Sequence, residues 1–289
     1  MRVVDVKALE ELVRDLALEA NFRLSPDMAR SLEEAGCEET SSVGRSVLED
    51  LRQNCRIAEE DGVPLCQDCG LAVVFLDVGE EVAFSRGGVE EAVHAGIRQA
   101  YREGYLRKSV ISDPLFDRRN TGDNTPAVLH LRWIPGDRIR VTVAPKGMGS
   151  ENMSALKMLR PADGEAGVRS FVVETVAAAG PNACPPVVVG VGVGGNFETA
   201  PLAAKRALLR PCGTPHGDPR YAALERQLLA EINALGIGPA GYGGAVSALA
   251  VHVEWLPTHL AGLPVAVNLC CHANRHAAGE LVGEEEAWS

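Results

Sequence analysis

Three cysteines in unusual local settings constrain this chain more than any other feature. Cys66 lies in PLCQDCG, Cys184 in NACPPVVVG and Cys271 in VNLCCHANRHAAG. They stand 118 and then 87 residues apart, so only tertiary folding can bring them together. Eight cysteines in a sequence whose first twenty residues show no export signal indicate a reducing compartment, with metal or catalytic roles rather than disulfides. The first residues instead alternate charged and apolar side chains at helical spacing.

At 289 residues the chain is long enough for one large core or two modest ones. Its 46% hydrophobic and 23% charged content is an ordinary globular mix, and with only 4% aromatics the core must be built from Val, Leu and Ala. A net charge of −11 argues against nucleic acid or an anionic membrane surface as partner. An anionic substrate stays open, because a few arginines in a concave site set the local field. The longest apolar stretch, around Pro185 to Gly195, is too short and too glycine-rich to span a bilayer, so a soluble, cytoplasmic chain is expected.

Leu9, Leu12, Val13 and Leu16 form one helical stripe, Ser25–Pro26 reads as a cap followed by a first turn, and Gly36 reads as a stop. A third helix is predicted from about Ser42 to Gly62, giving a mainly helical lead segment over 1–62. LAVVFLDVG (71–79) reads as a strand and 88–105 as a helix. AVLHLRWIPGDRIRVTV, from Ala127 to Val143, alternates about a Pro-Gly-Asp turn and predicts a hairpin. Beyond it come a helix at 163–179, a buried strand at 187–194, helices at 197–209 and about 220–235, two strands ending in LPVAVNLC, and an acidic tail over 280–289. Strands and helices mix without regular alternation, so an irregular α+β fold in one domain over 1–289 is expected.

Cys66-Gln67-Asp68-Cys69 puts two thiols, an amide and a carboxylate in one turn. Such a pair fits half a zinc site, a redox dithiol or iron–sulfur ligation. The second pair that zinc would need is available only as adjacent Cys270 and Cys271 with His272 and His276, a poor tetrahedral set. GVGVGG (190–195) matches a dinucleotide fingerprint, but Asp218 falls in a Pro/Gly loop rather than at a strand end, so the match is read as chance. What survives is a strand, a glycine turn and a helix start that could show N–H groups to an anion. PKGMGSENMS (145–154) is read as a second glycine turn leading into a helix. Arg107, Arg118, Arg119, Asn120 and Asn124 lie in a structured loop, where arginine suits carboxylate recognition. His259 is either a structural histidine or a substrate contact.

Taken together, CQDCG, NTGDNTPA, KGMGSENMSALKML, CPPVVVGVGVGGNFETA and HLAGLPVAVNLCCHANR resemble the α region of the iron–sulfur hydro-lyases, the class I fumarate hydratases and L(+)-tartrate dehydratases. The likeness runs from about residue 40 to 278 in matching order. It implies a 4Fe–4S cluster on Cys66, Cys184 and Cys271, the last chosen over Cys270 by its spacing from Asn268. It also implies substrate contacts from Gln67, Asp68, Arg107, Gly149 and His259, with Asp68 near the proton-transfer step. Cys69 departs from the threonine usual at that place. Nothing in the chain resembles the family's β region, so a separate β subunit in an α2β2 assembly is expected. The expected reaction on a C4 dicarboxylate is hydration of fumarate to L-malate, with dehydration of L(+)-tartrate to oxaloacetate as the alternative. A zinc or redox dithiol protein is the reading from a different class.

Overall fold

The structure is a computed structural model that describes residues 1–285. It is α+β, with three mixed sheets flanked by helices, as the irregular order of strand and helix signals predicts. In chain order the elements begin with β1 (Arg2–Asp5), α1 (Val6–Phe22), α2 (Pro26–Glu38) and α3 (Ser42–Asp61). They continue with β2 (Leu71–Gly79), β3 (Val82–Ser85), α4 (Val89–Glu103), β4 (Val128–Ile134) and β5 (Arg138–Lys146). Next come α5 (Met148–Glu151), β6 (Ala155–Leu159), α6 (Gly164–Ala179), β7 (Val187–Gly194) and α7 (Thr199–Ala207). The remainder comprises α8 (Pro219–Asn233), β8 (Ala248–Leu256), β9 (Leu263–Cys270), β10 (Ala277–Val282) and β11 (Glu284–Glu285). Among the described residues no helix is long and apolar enough to cross a membrane.

The chain divides into two compact units, one made of residues 1–25, 55–147 and Arg275 onward, the other of 26–54 and 148–274. In the first unit β2 occupies the interior of a sheet ordered β10-β5-β2-β4. Leu9, Val13 and Leu16 of α1 pack into a core with Val74, Leu76, Val78, Ile139, Val141 and Val143 of the sheet and Val93, Ile97 and Tyr101 of α4. Each such Val or Leu contributes about 1.5–3 kcal/mol when fully buried. α1 starts where the Asp5 carboxylate accepts from the Lys7 N–H. α1 and α4 pack closely at Gly96, where a Cβ would lie 2.5 Å from the Glu10 carbonyl oxygen.

The predicted hairpin does not form. β4 runs parallel to β2, and β5 runs antiparallel to the same strand on its other side. The Pro135-Gly136-Asp137 connection passes over the end of β2, where Glu80 N–H donates to the Ile134 carbonyl and Glu81 N–H to that of Gly136. Alternating β4 and β5 each have a face to leave in solvent, whereas β2, apolar except at Asp77 and buried along most of its length, needs neighbours on both edges. Burial of β2 therefore overrides the local turn signal. Two smaller differences sit at segment ends. α2 continues through Gly36 to Glu38, since an isolated helix-interior glycine costs only about 1 kcal/mol. The acidic run from Glu280 enters β10 and β11, and its last residues, 286–289, lie outside the described residues.

In the second unit the sheet order is β6-β9-β7-β8. Val187, Val189 and Val191 face a core with Val168, Val172 and Val176 of α6 and Leu228 and Ile232 of α8. Gly190 and Gly192 face α7, where a Cβ on either would lie 2.1 Å from the Ala204 or Ala200 carbonyl oxygen. The glycine–valine alternation thus serves a strand that carries helices on both faces. The segment 145–154 gives only the single turn α5, and the chain then extends into β6 against β9.

Candidate functional site

Within the first unit, the turn from Cys66 to Gly70 is held from four directions. Gly70 has φ +75°, and a Cβ there would lie 2.7 Å from the Lys146 backbone nitrogen, so only glycine closes the turn. Tyr101, fully buried on α4, donates its hydroxyl to the Cys69 carbonyl at 2.6 Å. Burial holds its phenol well above the usual range, which makes it a permanent donor. Buried Asn124 donates to the Gly70 carbonyl at 3.2 Å and accepts from Ser109 N–H at 2.7 Å, tying the arginine-bearing loop to the turn. Finally, the Arg107 N–H donates to Cys69 Sγ at 3.1 Å.

These restraints place Cys66, Gln67, Asp68 and Arg107 together. Cys66 is half-buried, and its Sγ accepts from Asp68 N–H at 3.4 Å. Asp68 Oδ1 accepts from Gly70 N–H at 3.0 Å. A Cβ at Gly147 would come within 3.1 Å of Asp68 Oδ2, so glycine there leaves that oxygen room. The Gln67 amide and the Arg107 guanidinium are exposed, and the guanidinium has no hydrogen-bond partner among the described residues. Cys69 is buried at 1% exposure, and that burial raises its thiol pKa against the opposing Arg107 N–H. A redox or zinc dithiol needs two reachable, readily ionised thiols. Cys69 is neither, which counts against the dithiol reading.

The second unit gathers another set. β7 and β9 run antiparallel with Val188 opposite Cys270, so the residues just before β7 and just after β9 share one sheet edge. There the Cys184 carbonyl lies 3.1 Å from His272 Nδ1 and accepts from its backbone N–H at 3.4 Å. Cys184 is exposed with φ +55°, Cys271 is half-buried, and Cys270 is enclosed in β9. Gly149, in the first turn of α5, joins this edge, since a Cβ there would be 3.7 Å from the Asn182 carbonyl oxygen. First-turn amides have no acceptor within their own helix, which suits Gly149 to a carboxylate.

His259 is placed elsewhere. It is exposed in the loop between β8 and β9, at the opposite end of β9 from Cys271. Eight strand residues separate the two ends, roughly 26 Å. Its Nδ1 accepts from Ala261 N–H at 3.1 Å, leaving the proton of the neutral ring on Nε2. It borders a cavity of about 480 Å³ whose walls include Val168, Val193, Tyr221 and Leu224. The second unit therefore does not bring His259 to Gly149, Cys184 and Cys271.

Sequence reasoning missed the network behind Gly149. Asn268 Nδ2 donates to Glu151 Oε2 at 2.7 Å and to Ser154 Oγ at 2.9 Å, and Lys205 Nζ donates to Glu151 Oε1 at 2.6 Å. These bonds join the GMGSENMS and VNLCC segments. The only sequence signal was that polar residues cluster in both. The anion role considered for the helix start after GVGVGG is not realised, because Asn196 Oδ1 already accepts from the N–H groups of Glu198 and Thr199. Among the described residues no group of three or more His, Cys, Asp or Glu side chains is arranged to hold a metal ion.

A model of the fumarate hydratase (Fumerase) family matches residues 10–280. The chain belongs to this family of hydro-lyases. Among its relatives is a putative L(+)-tartrate dehydratase subunit alpha of Methanocaldococcus jannaschii, 41% identical over 93% of this chain and 96% of the relative. The L(+)-tartrate dehydratase subunits alpha of Escherichia coli and Shigella sonnei are each 34% identical, over 93% of this chain and 89% of theirs.

Proposed function

We propose that this chain is the α subunit of an L(+)-tartrate dehydratase, working with a separate β subunit in the cytoplasm. The near end-to-end likeness to chains bearing that name carries the reading. The initial expectation, fumarate hydration, becomes the second reading, favoured by the description of the family model.

The donor chemistry fits a 4Fe–4S cluster. Cys66, Cys184 and Cys271 are thiols of which none is fully buried, and Cys66 Sγ already accepts a backbone N–H of the kind that steadies a thiolate. These three cysteines would hold the cluster, which when bound supplies a Lewis-acidic iron to a leaving hydroxyl. Arg107 engages one carboxylate through two parallel N–H donors, and the Gly149 amide another. Gln67 hydrogen-bonds a substrate hydroxyl or carboxylate. Asp68 is held through Oδ1, and its Oδ2 is the oxygen that exchanges the proton on carbon. Loss of water from tartrate gives the enol of oxaloacetate, which tautomerises to the ketone. His259 is a further proposed contact, tested separately because of its position.

The test is anaerobic reconstitution of the chain and its β partner with iron and sulfide, followed by kcat/KM on L(+)-tartrate, fumarate and L-malate. Tartrate is expected to be preferred by at least roughly tenfold, the discrimination that about 1.4 kcal/mol supplies. A preference for fumarate and malate would move the assignment to the second reading. No turnover of any of the three with an intact cluster would remove both.

A further inference from the structure

Arg275 enters none of the roles above, yet it is the least expected residue in the first unit. Its side chain is enclosed at 4% exposure, and Nη2 donates to the Asp68 carbonyl. Nε and Nη1 are buried and lack a hydrogen-bond partner among the described residues. No carboxylate pairs with it there either. A guanidinium does not deprotonate in a protein, and a buried charge without an ion-pair partner is costly. The neighbours of Arg275 are those of the first cysteine turn. A Cβ on Gly147 would sit 3.9 Å from Nη2 and 3.1 Å from Asp68 Oδ2. Its positive charge also acts on the Cys69 thiol and the Tyr101 phenol.

The missing counter-charge has a natural source in the proposed chemistry. A cluster ligated by three thiolates is an anionic centre, and Cys66 stands two residues from the carbonyl that Arg275 grips. We propose that Arg275 is a positioning residue that clamps the Cys66–Cys69 turn and serves as fixed counter-charge to the anionic centre held there, favouring its reduced state. This rests on the iron–sulfur reading of Cys66.

The experiment uses the full chain with its β partner, reconstituted anaerobically, comparing Arg275→Gln, Arg275→Met and Arg275→Lys with the wild type. Iron and sulfide content are measured first, then the cluster midpoint potential by EPR-monitored titration. The neutral variants are expected to shift to a more negative potential, while Arg275→Lys stays at the wild-type value. If neither neutral variant takes up iron but Arg275→Lys does, the need for charge is upheld. A neutral variant that loads at the wild-type potential overturns the proposal. So does a lysine variant displaced as far as the neutral ones, or failure of all three to load, each of which marks a purely structural role. A wild-type protein without any cluster would instead strike at the iron–sulfur reading itself.

Discussion

At the scale of single residues, neighbouring cysteines of like sequence context are separated by burial alone. Cys271 is half-buried after β9, while Cys270 is inside the strand. Cys271→Ser is therefore expected to abolish cluster absorbance on reconstitution, whereas Cys270→Ser keeps it; iron and sulfide per chain check both. Asp68→Asn keeps the Oδ1 acceptor for Gly70 but loses the carboxylate. It is expected to lower kcat by about 10²–10⁴ while unfolding at nearly the wild-type temperature. Glu39 belongs to the second unit and has a structural task. Burial works to raise its pKa, but N–H groups of Ser41, Ala245 and Val246 on its carboxylate outweigh that and hold it below the usual range. A depressed folded-state pKa stabilises above the unfolded value and is lost as pH falls through the folded one. Glu39→Gln is thus expected to cost about 1–3 kcal/mol at pH 7 and progressively less in acid, measured by denaturant unfolding across pH.

At the scale of elements, the glycine–valine strand β7 and the unmade hairpin carry the lesson. Gly192→Ala would drive a methyl into the Ala200 carbonyl. It is expected to lower stability by about 1–3 kcal/mol or more, read as a fall in Tm, whereas an alanine at open Gly36 should slightly stabilise α2. Element positions for β2, β7, β8 and β9 were legible because long apolar or alternating runs with clear breakers leave little choice. Pairing was not legible. The Pro-Gly-Asp signal correctly marked where β4 ends and β5 begins, but the competition among strands for the interior position decided that β2 lies between them. The single turn α5 and the strand β6 were likewise hidden, because β6 is specified by its ladder with β9 rather than by its own five residues.

For the whole molecule, residues 1–289 are proposed to act as one α subunit. Alone, and even with its cluster loaded, the chain is expected to show no tartrate turnover until the β partner is added; a stopped assay for oxaloacetate reads this directly. By itself the sequence determined the α+β class, the family and the motifs, since composition, periodicity and rare local strings such as CQDCG are properties of the chain read in order. Tertiary structure alone decided which motifs became neighbours. It set Asn124 and Tyr101 behind the Cys66 turn, joined Cys184 to His272 at one sheet edge, and put His259 at the other end of β9. It also buried the Arg275 guanidinium with Nε and Nη1 lacking a hydrogen-bond partner among the described residues. The physical reason is that such contacts depend on which surfaces win burial. That competition is settled among segments dozens to hundreds of residues apart and leaves little trace in any one of them.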